Sequence, residues 1–332
     1  MKTLLRLVGC AVGFAALGLT GALAQSPASV SIELVSTFDY PGTGNLTQPQ
    51  KISDKSDVVG TFVDASGVTR GFAMFANGNF SNPLVDPADT VGFTEGRGIN
   101  GARVVCGDYS DASGNLHGYF FFNGFYQNFD VFGTTFTAIL GINNARDFAG
   151  TIIPTGGIQE AFLSIGGTIT AFAITDATAT LAYQLNARSQ SCGYYVDADG
   201  VTTHGYWRDS DGTINAPIDP VGSTSTILFG NNNTNQMVGR YVDAGGATHG
   251  ILFSPPDLFV VFDFPGATFT SLNGINRRGQ IIGRFIDPAT GIAHGILCRV
   301  MRDGAGVTLP LAPPSAPTKA VPQHAVYTAP AY

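Results

Sequence analysis

A chain of 332 residues with 43 glycines, 18 prolines, 11% aromatic and only 12% charged residues has the composition of strands joined by tight turns. A formal charge of −7 without any basic run excludes a nucleic-acid-binding surface. Beyond the N-terminus no segment is long and apolar enough to span a bilayer as a helix.

Residues 1–24 come first. Lys2 and Arg6 form a positive start, residues 7–20 are apolar, and Ala22-Leu23-Ala24 makes a small-x-small cleavage pattern before Gln25. This reads as a secretory signal peptide cut after Ala24, which implies a secreted or periplasmic mature protein. A lipobox-like Leu7-Val8-Gly9-Cys10 competes with that reading, but Cys10 follows Arg6 too closely for a full hydrophobic segment. Cys106, Cys192 and Cys298 remain, an odd number with neither disulfide-framework nor zinc spacing. They read as small buried hydrophobes.

From about residue 31 the sequence repeats itself. VGTFVDASGVTRG (59–71) returns as CGDYSDASGNLHG (106–118), CGYYVDADGVTTHG (192–205), VGRYVDAGGATHG (238–250) and IGRFIDPATGIAHG (282–295), with a degenerate copy at 149–161. The leading glycines Gly60, Gly107, Gly150, Gly193, Gly239 and Gly283 lie 43 to 47 residues apart. A Gly-Ile-Asn-like triplet precedes each of them, ending at Ser53, Asn100, Asn143, Asn186, Asn232 and Asn276. A Phe-Asp-x-Pro-Gly phrase recurs, clear at 38–42 and 262–266. Each unit reads as four antiparallel strands, the length of a propeller blade, whose two apolar faces demand neighbours.

The sixth copy stops after its third strand, and residues 31–42 supply the missing Phe-Asp-x-Pro-Gly strand at the other end of the chain. The expected fold is therefore all-β: a single β-propeller over 25–302, with six blades of four antiparallel strands, closed by the N-terminal strand (31–42). Residues 303–332 are rich in Pro and Ala and read as a disordered tail.

The unit GIN-x-x-G-x-I-V-G-x-Y-x-D-x-x-G-x-x-H-G-F, followed by F-x-x-x-D-x-P-G, resembles the bacterial extracellular HAF repeats. The matching tripeptides are His117-Gly118-Tyr119, His204-Gly205-Tyr206, His249-Gly250-Ile251 and His294-Gly295-Ile296. The resemblance spans roughly residues 30–300, implies export and a repeat β-fold, and carries no catalytic residues.

Four of the five histidines share one repeat position, whereas an active site is normally one place. The expected pairs Asp111–His117, Asp197–His204, Asp243–His249 and Asp287–His294, with Asp64–Arg70 in the first repeat, are therefore structural, each tying the ends of a hairpin. The third repeat loses both partners together, with Pro154 and Glu160 in their places. No catalytic residue and no metal site are expected. Asp197-Ala198-Asp199-Gly200 and Asp209-Ser210-Asp211-Gly212 resemble fragments of calcium loops but lack a downstream bidentate Glu, so calcium stays a minor alternative. His324 lies in the tail, outside the repeat.

The candidate ligand-binding residues are aromatic. They are the single Trp207, its neighbour Tyr206, and Tyr119, Phe125 and Tyr126 in the unusually aromatic run 119–126. The expected function is a non-enzymatic binding module for an envelope glycan or a protein partner. The alternatives are a polysaccharide lyase or glycosidase at the propeller channel, and a structural cell-surface coat protein.

Overall fold

The computed structural model describes residues 30–42, 46–64, 66–302, 308–309 and 326–328. The signal-peptide segment, His324 and most of the Pro/Ala-rich stretch lie outside the described residues. Every regular element among the described residues is a strand.

The chain opens with β1 (Val30–Phe38). The first repeat gives β2 (Leu46–Ile52), β3 (Val58–Val63) and β4 (Thr69–Met74), and the second gives β5 (Thr94–Ile99), β6 (Val105–Ser110), β7 (Leu116–Phe122) and β8 (Phe125–Phe129). The third contains β9 (Thr134–Ile142), β10 (Phe148–Pro154), β11 (Glu160–Ile165) and β12 (Thr168–Phe172). The fourth contains β13 (Ala179–Leu185), β14 (Ser191–Val196), β15 (Thr203–Arg208) and β16 (Ile214–Ile218). The fifth contains β17 (Ser223–Asn231), β18 (Met237–Asp243), β19 (Thr248–Ser254) and β20 (Leu258–Phe262). The sixth ends with β21 (Thr270–Ile275), β22 (Gln280–Ile286) and β23 (Ala293–Arg302). Two short strands of the C-terminal stretch, β24 (Thr308–Leu309) and β25 (Val326–Thr328), add to β20 and β12.

Repeats two to five each form their own antiparallel sheet, while the first and last share one seven-stranded sheet ordered β21-β22-β23-β2-β3-β4, with β1 also on β23. The expectation of six equal, separate four-stranded blades is corrected here: four sheets stand apart and the fifth is composite. Two local causes are visible. Leu46 makes a single parallel bridge to Ala293, which joins the first repeat to the last. The first repeat also lacks a fourth strand. After β4 the chain returns only through isolated bridges, Met74 to Phe80 and Gly71 to Leu84, in a stretch where Pro83 has no N–H for a ladder. The N-terminal strand β1 runs antiparallel to β23 from Val30 opposite Arg302 to Phe38 opposite Gly295.

The first strands of consecutive repeats touch in cyclic order, β2 to β5 to β9 to β13 to β17 to β21 and back to β2. The result is an all-β, propeller-like arrangement. Its core is divided among the spaces between sheets; one apolar cluster, for example, joins Cys106, Phe120 and Phe129 to Ile139, Phe148 and Phe162 of the next repeat. Cys106, Cys192 and Cys298 are buried and free. The repeat glycine is set by sterics. A Cβ on Gly193 or Gly239 would collide with the carbonyl oxygen of Leu181 or Ile227 on the adjoining first strand.

Each first strand carries a register shift three residues before its Asn-like position, which leaves Gln50, Arg97, Leu140, Tyr183, Phe229 and Asn273 out of the ladder. Such bulges re-aim side chains. Here they converge. Phe229 meets Tyr183 edge-on at 5.0 Å, and the Lys51 Nζ of the first repeat lies 5.6 Å from the Tyr183 ring of the fourth.

Candidate functional site

The two ends of the first strands differ in chemistry. At one end, the repeat asparagines link neighbours. Nδ2 of Asn100 donates to the carbonyl of Asn143 (3.1 Å), Asn143 to Asn186 (3.3 Å), Asn186 to Asn232 (3.0 Å), Asn232 to Asn276 (3.4 Å), and Asn276 to Ser53 (3.0 Å). The Oδ1 of each accepts N–H bonds within its own turn; that of Asn186, for instance, takes Arg188 at 2.8 Å and Gln190 at 3.1 Å. Asn144 further donates to Asp54 at 3.0 Å across the opening. This end retains a space of about 60 Å³, room for little more than water.

At the other end lie the hairpins with the repeat histidines. Nδ1 of His117 donates to Asp130 Oδ2 at 2.9 Å and Nε2 faces Asp111 at 3.4 Å. His249 repeats this with Asp263 at 2.9 Å and Asp243 at 3.3 Å. His204 binds Asp219 at 2.6 Å and stands 3.8 Å from Asp197. His294 binds Asp39 at 3.0 Å, while Asp287 holds the N–H of Ala289 and the hydroxyl of Thr290 in its own turn. Arg70 binds Asp64 at 2.8 Å.

Each imidazole also faces an aromatic ring one strand away: Tyr109, Tyr195, Tyr241 or Phe285, with centroids 4.8 to 5.3 Å apart. The second aspartate of each set, in the Phe-Asp-x-Pro-Gly phrase, is the partner the hairpin argument missed. Its offset after the histidine varies from 13 to 15 residues in three repeats, so the spacing carried only a loose signal.

These carboxylates control the imidazoles. Burial pulls the His117 and His249 rings down, but the aspartates on both sides more than offset it and leave both above the usual 6.5. His204 is raised chiefly by its bond to Asp219. No group of three or more His, Cys, Asp or Glu side chains suited to a metal occurs among the described residues. Asp199 and Asp211 of the calcium-loop fragments accept N–H bonds within their own turns, from Val201, Thr202 and Thr213.

Between the two ends the axis is charged. Arg97 donates to Asp108 through Nε at 3.0 Å and to Glu95 through Nη2, so one guanidinium holds two carboxyls. Burial raises both carboxyls. It also lowers the Lys51 ammonium to about 8.

The aromatic candidates separate cleanly. Tyr119 and Tyr206 are fully buried, and their hydroxyls donate to the carbonyls of Glu95 (2.9 Å) and Leu181 (3.0 Å), which puts both beyond a ligand's reach. Trp207 packs on Phe253 at 5.7 Å, with its Nε1 buried and unpartnered. Tyr126 is half-buried against Tyr119 and Phe121.

Phe125 is 79% exposed and, with Phe122, walls a hollow of about 370 Å³ between the second and third repeats. Asn123, Gln127 and Arg146 supply polar groups around it. Gln127 and Arg146 are residues of this lining that sequence reasoning did not single out, whereas Phe122 and Asn123 fall within the aromatic run 119–126.

The fold and these surfaces define a propeller-like repeat protein with a walled recess on one side and a charged axis. No family model matches the chain, and no curated protein matches it. Among solved structures, the BP39L lectin from Burkholderia pseudomallei is similar, with a TM-score of 0.43 and 11% identity over 82% of this chain and 100% of that one.

Proposed function

We propose that this chain is an exported six-bladed β-propeller of the HAF-repeat kind that binds an envelope glycan without transforming it. Export rests on the signal-like residues 1–24, and the repeat kinship on the recurring Gly-Ile-Asn and His-Gly phrases. The blade count follows from counting the composite sheet as the first and last repeats together. The cyclic contacts of six first strands and the pairing of β1 with β23 support it.

The observation that carries the binding role is the hollow at Phe125. Its volume of about 370 Å³ falls in the range of small-molecule sites. Exposed phenyl faces beside amide and guanidinium groups match a saccharide, which offers C–H faces and hydroxyls together.

The test is binding of residues 25–332 to an array of envelope polysaccharides, with product analysis on every ligand retained. The Phe125→Ala variant loses about tenfold in affinity if the recess holds the glycan. Unchanged affinity removes the recess from the reading.

A second reading, glycan cleavage in the channel, is favoured by the buried, raised carboxyl of Glu95 beside Asp108. Product release abolished by Glu95→Gln would establish it. Against it, both carboxyls share the Arg97 guanidinium, which leaves no space between them for a scissile bond.

A further inference from the structure

The arginine ion pairs among the described residues are those of Arg70, Arg97, Arg103, Arg277 and Arg299. Arg240 and Arg284 are not among them. They occupy the position directly after the repeat glycine, on β18 and β22. Thr61 and Thr151 fill the same position in the first and third repeats, both buried and uncharged. The fold therefore accepts a small neutral side chain there and does not require the charge.

Both guanidiniums are half-buried, and Arg284 Nε is buried without any hydrogen-bond partner. Leaving a guanidinium desolvated and unpaired costs stability, so its retention points to an anion it is kept for. The nearby carboxyls of Glu95 and Asp108 are already held by Arg97.

The surroundings are aromatic. Arg284 lies 5.3 Å and Arg240 5.5 Å from the centre of the Phe269 ring, and Arg240 is also 5.5 Å from that of Phe229. Phe229 continues into Tyr183 and then Tyr194, each half-buried. Arg284 pairs opposite Ser271, five residues along β21 from Asn276, so the cluster sits roughly 16 Å from the asparagine end by strand rise. Arg240, Arg284, Phe269 and Tyr194 are all half-buried rather than closed off, so the arginine end of the axis is open to solvent.

We propose that this axial opening binds an oligosaccharide bearing several carboxylates, such as an oligouronate, with Arg240 and Arg284 each taking one carboxylate. Both guanidiniums lie against the Phe269 ring, 5.5 and 5.3 Å from its centre, so neighbouring carboxylates of one chain can reach the two of them. Their forked N–H groups match carboxylates, and the half-buried phenols offer surface to the sugar rings. Burial and the positive charges of Arg240 and Arg97 lower Arg284 to about 10, so it stays a cation at neutral pH. The proposal rests on the glycan-binding reading for its ligand class but uses a different surface.

The experiment is calorimetric titration of the full chain with a short oligogalacturonate, its methyl ester, an uncharged oligosaccharide and inorganic phosphate. The acid form binds, and the ester and the R240Q/R284Q double variant bind it about tenfold more weakly or worse. Phe125→Ala leaves this binding unchanged. The double variant melts no lower than the parent; if it fails to fold, the single variants Arg240→Gln and Arg284→Gln are read in its place. No binding of the acid form, equal binding of the ester, or full binding by the arginine variants overturns the site. Phosphate binding as tight as the oligouronate overturns the saccharide assignment. A loss confined to Phe125→Ala with the array ligands concerns the recess alone.

Discussion

The asparagine end and the histidine end are built from equally regular repeat residues, yet they do opposite things. Each asparagine spends its amide on the next repeat, from Asn100 to Asn143 and onward to Ser53. Each histidine stays at home in the second, fourth and fifth repeats, held by two aspartates of its own unit. One end couples units and the other finishes them. In a repeat protein, the coupling contacts govern cooperativity and the internal ones govern the stability of a single unit. Only His294 mixes the two, because its aspartate, Asp39, comes from the opposite end of the chain.

Substitutions can break this contrast in graded steps. Deleting residues 30–38 should have the largest effect. It strips β23 of its outer partner and removes Val30, Ile32 and Leu34 from the last apolar cluster, a loss on the order of 5 kcal/mol. A folded monomer with an unchanged melting curve would contradict it.

Gly239→Ala comes next, at about 3 kcal/mol, since the Ile227 carbonyl has nowhere to retreat. Denaturant titration measures it. Asn186→Ala should cost about 2 kcal/mol and also broaden the unfolding transition, because it cuts a link between units. A sharp transition would place the coupling elsewhere.

His249→Ala should cost about 1 kcal/mol or less at pH 6, with the transition as sharp as before. The same histidines set a pH dependence. Their folded values lie above the usual 6.5, so their stabilisation is fully present below pH 6.5 and is lost as pH rises through the raised values. Melting temperature should therefore fall across that interval, and less steeply in His249→Ala. A flat profile would remove the charge from the account of these contacts.

The repeat, its glycine and the hairpin aspartates were legible because each leaves one residue type at one spacing. Gly239 must be glycine and Asp243 must accept N–H bonds, whatever surrounds them. Two things were hidden. The second aspartate came from the return of the fourth strand to the same end of the blade, a fact of topology rather than of local pattern. The composite sheet came from one bridge between Leu46 and Ala293, which no sequence period announces.

Tyr119 and Tyr206 could have been placed correctly from the alignment of repeats alone. Phe72, Ile251 and Ile296 stand at the same position and are fully buried. Their place beside Trp207 and in the aromatic run 119–126 made the tyrosines candidates, whereas each is buried with its hydroxyl bonded to a carbonyl. The recess at Phe125 was half legible. The aromatic run 119–126 marked the place, but its polar rim draws on Arg146 from the neighbouring repeat.

The pairing of β1 with β23 also orders events in time. The strand made first has no partner until the strand made last of the repeats emerges, as the separation of 255 residues between Asp39 and His294 records. At ordinary synthesis rates that is a wait on the order of ten seconds or more. Once it emerges, β23 offers an open edge to any extended segment that reaches it until β1 docks. A chain whose first strand is kept unfolded and close at hand is born into a race between closing on itself and closing on a neighbour, and crowding of nascent copies decides how often the neighbour wins.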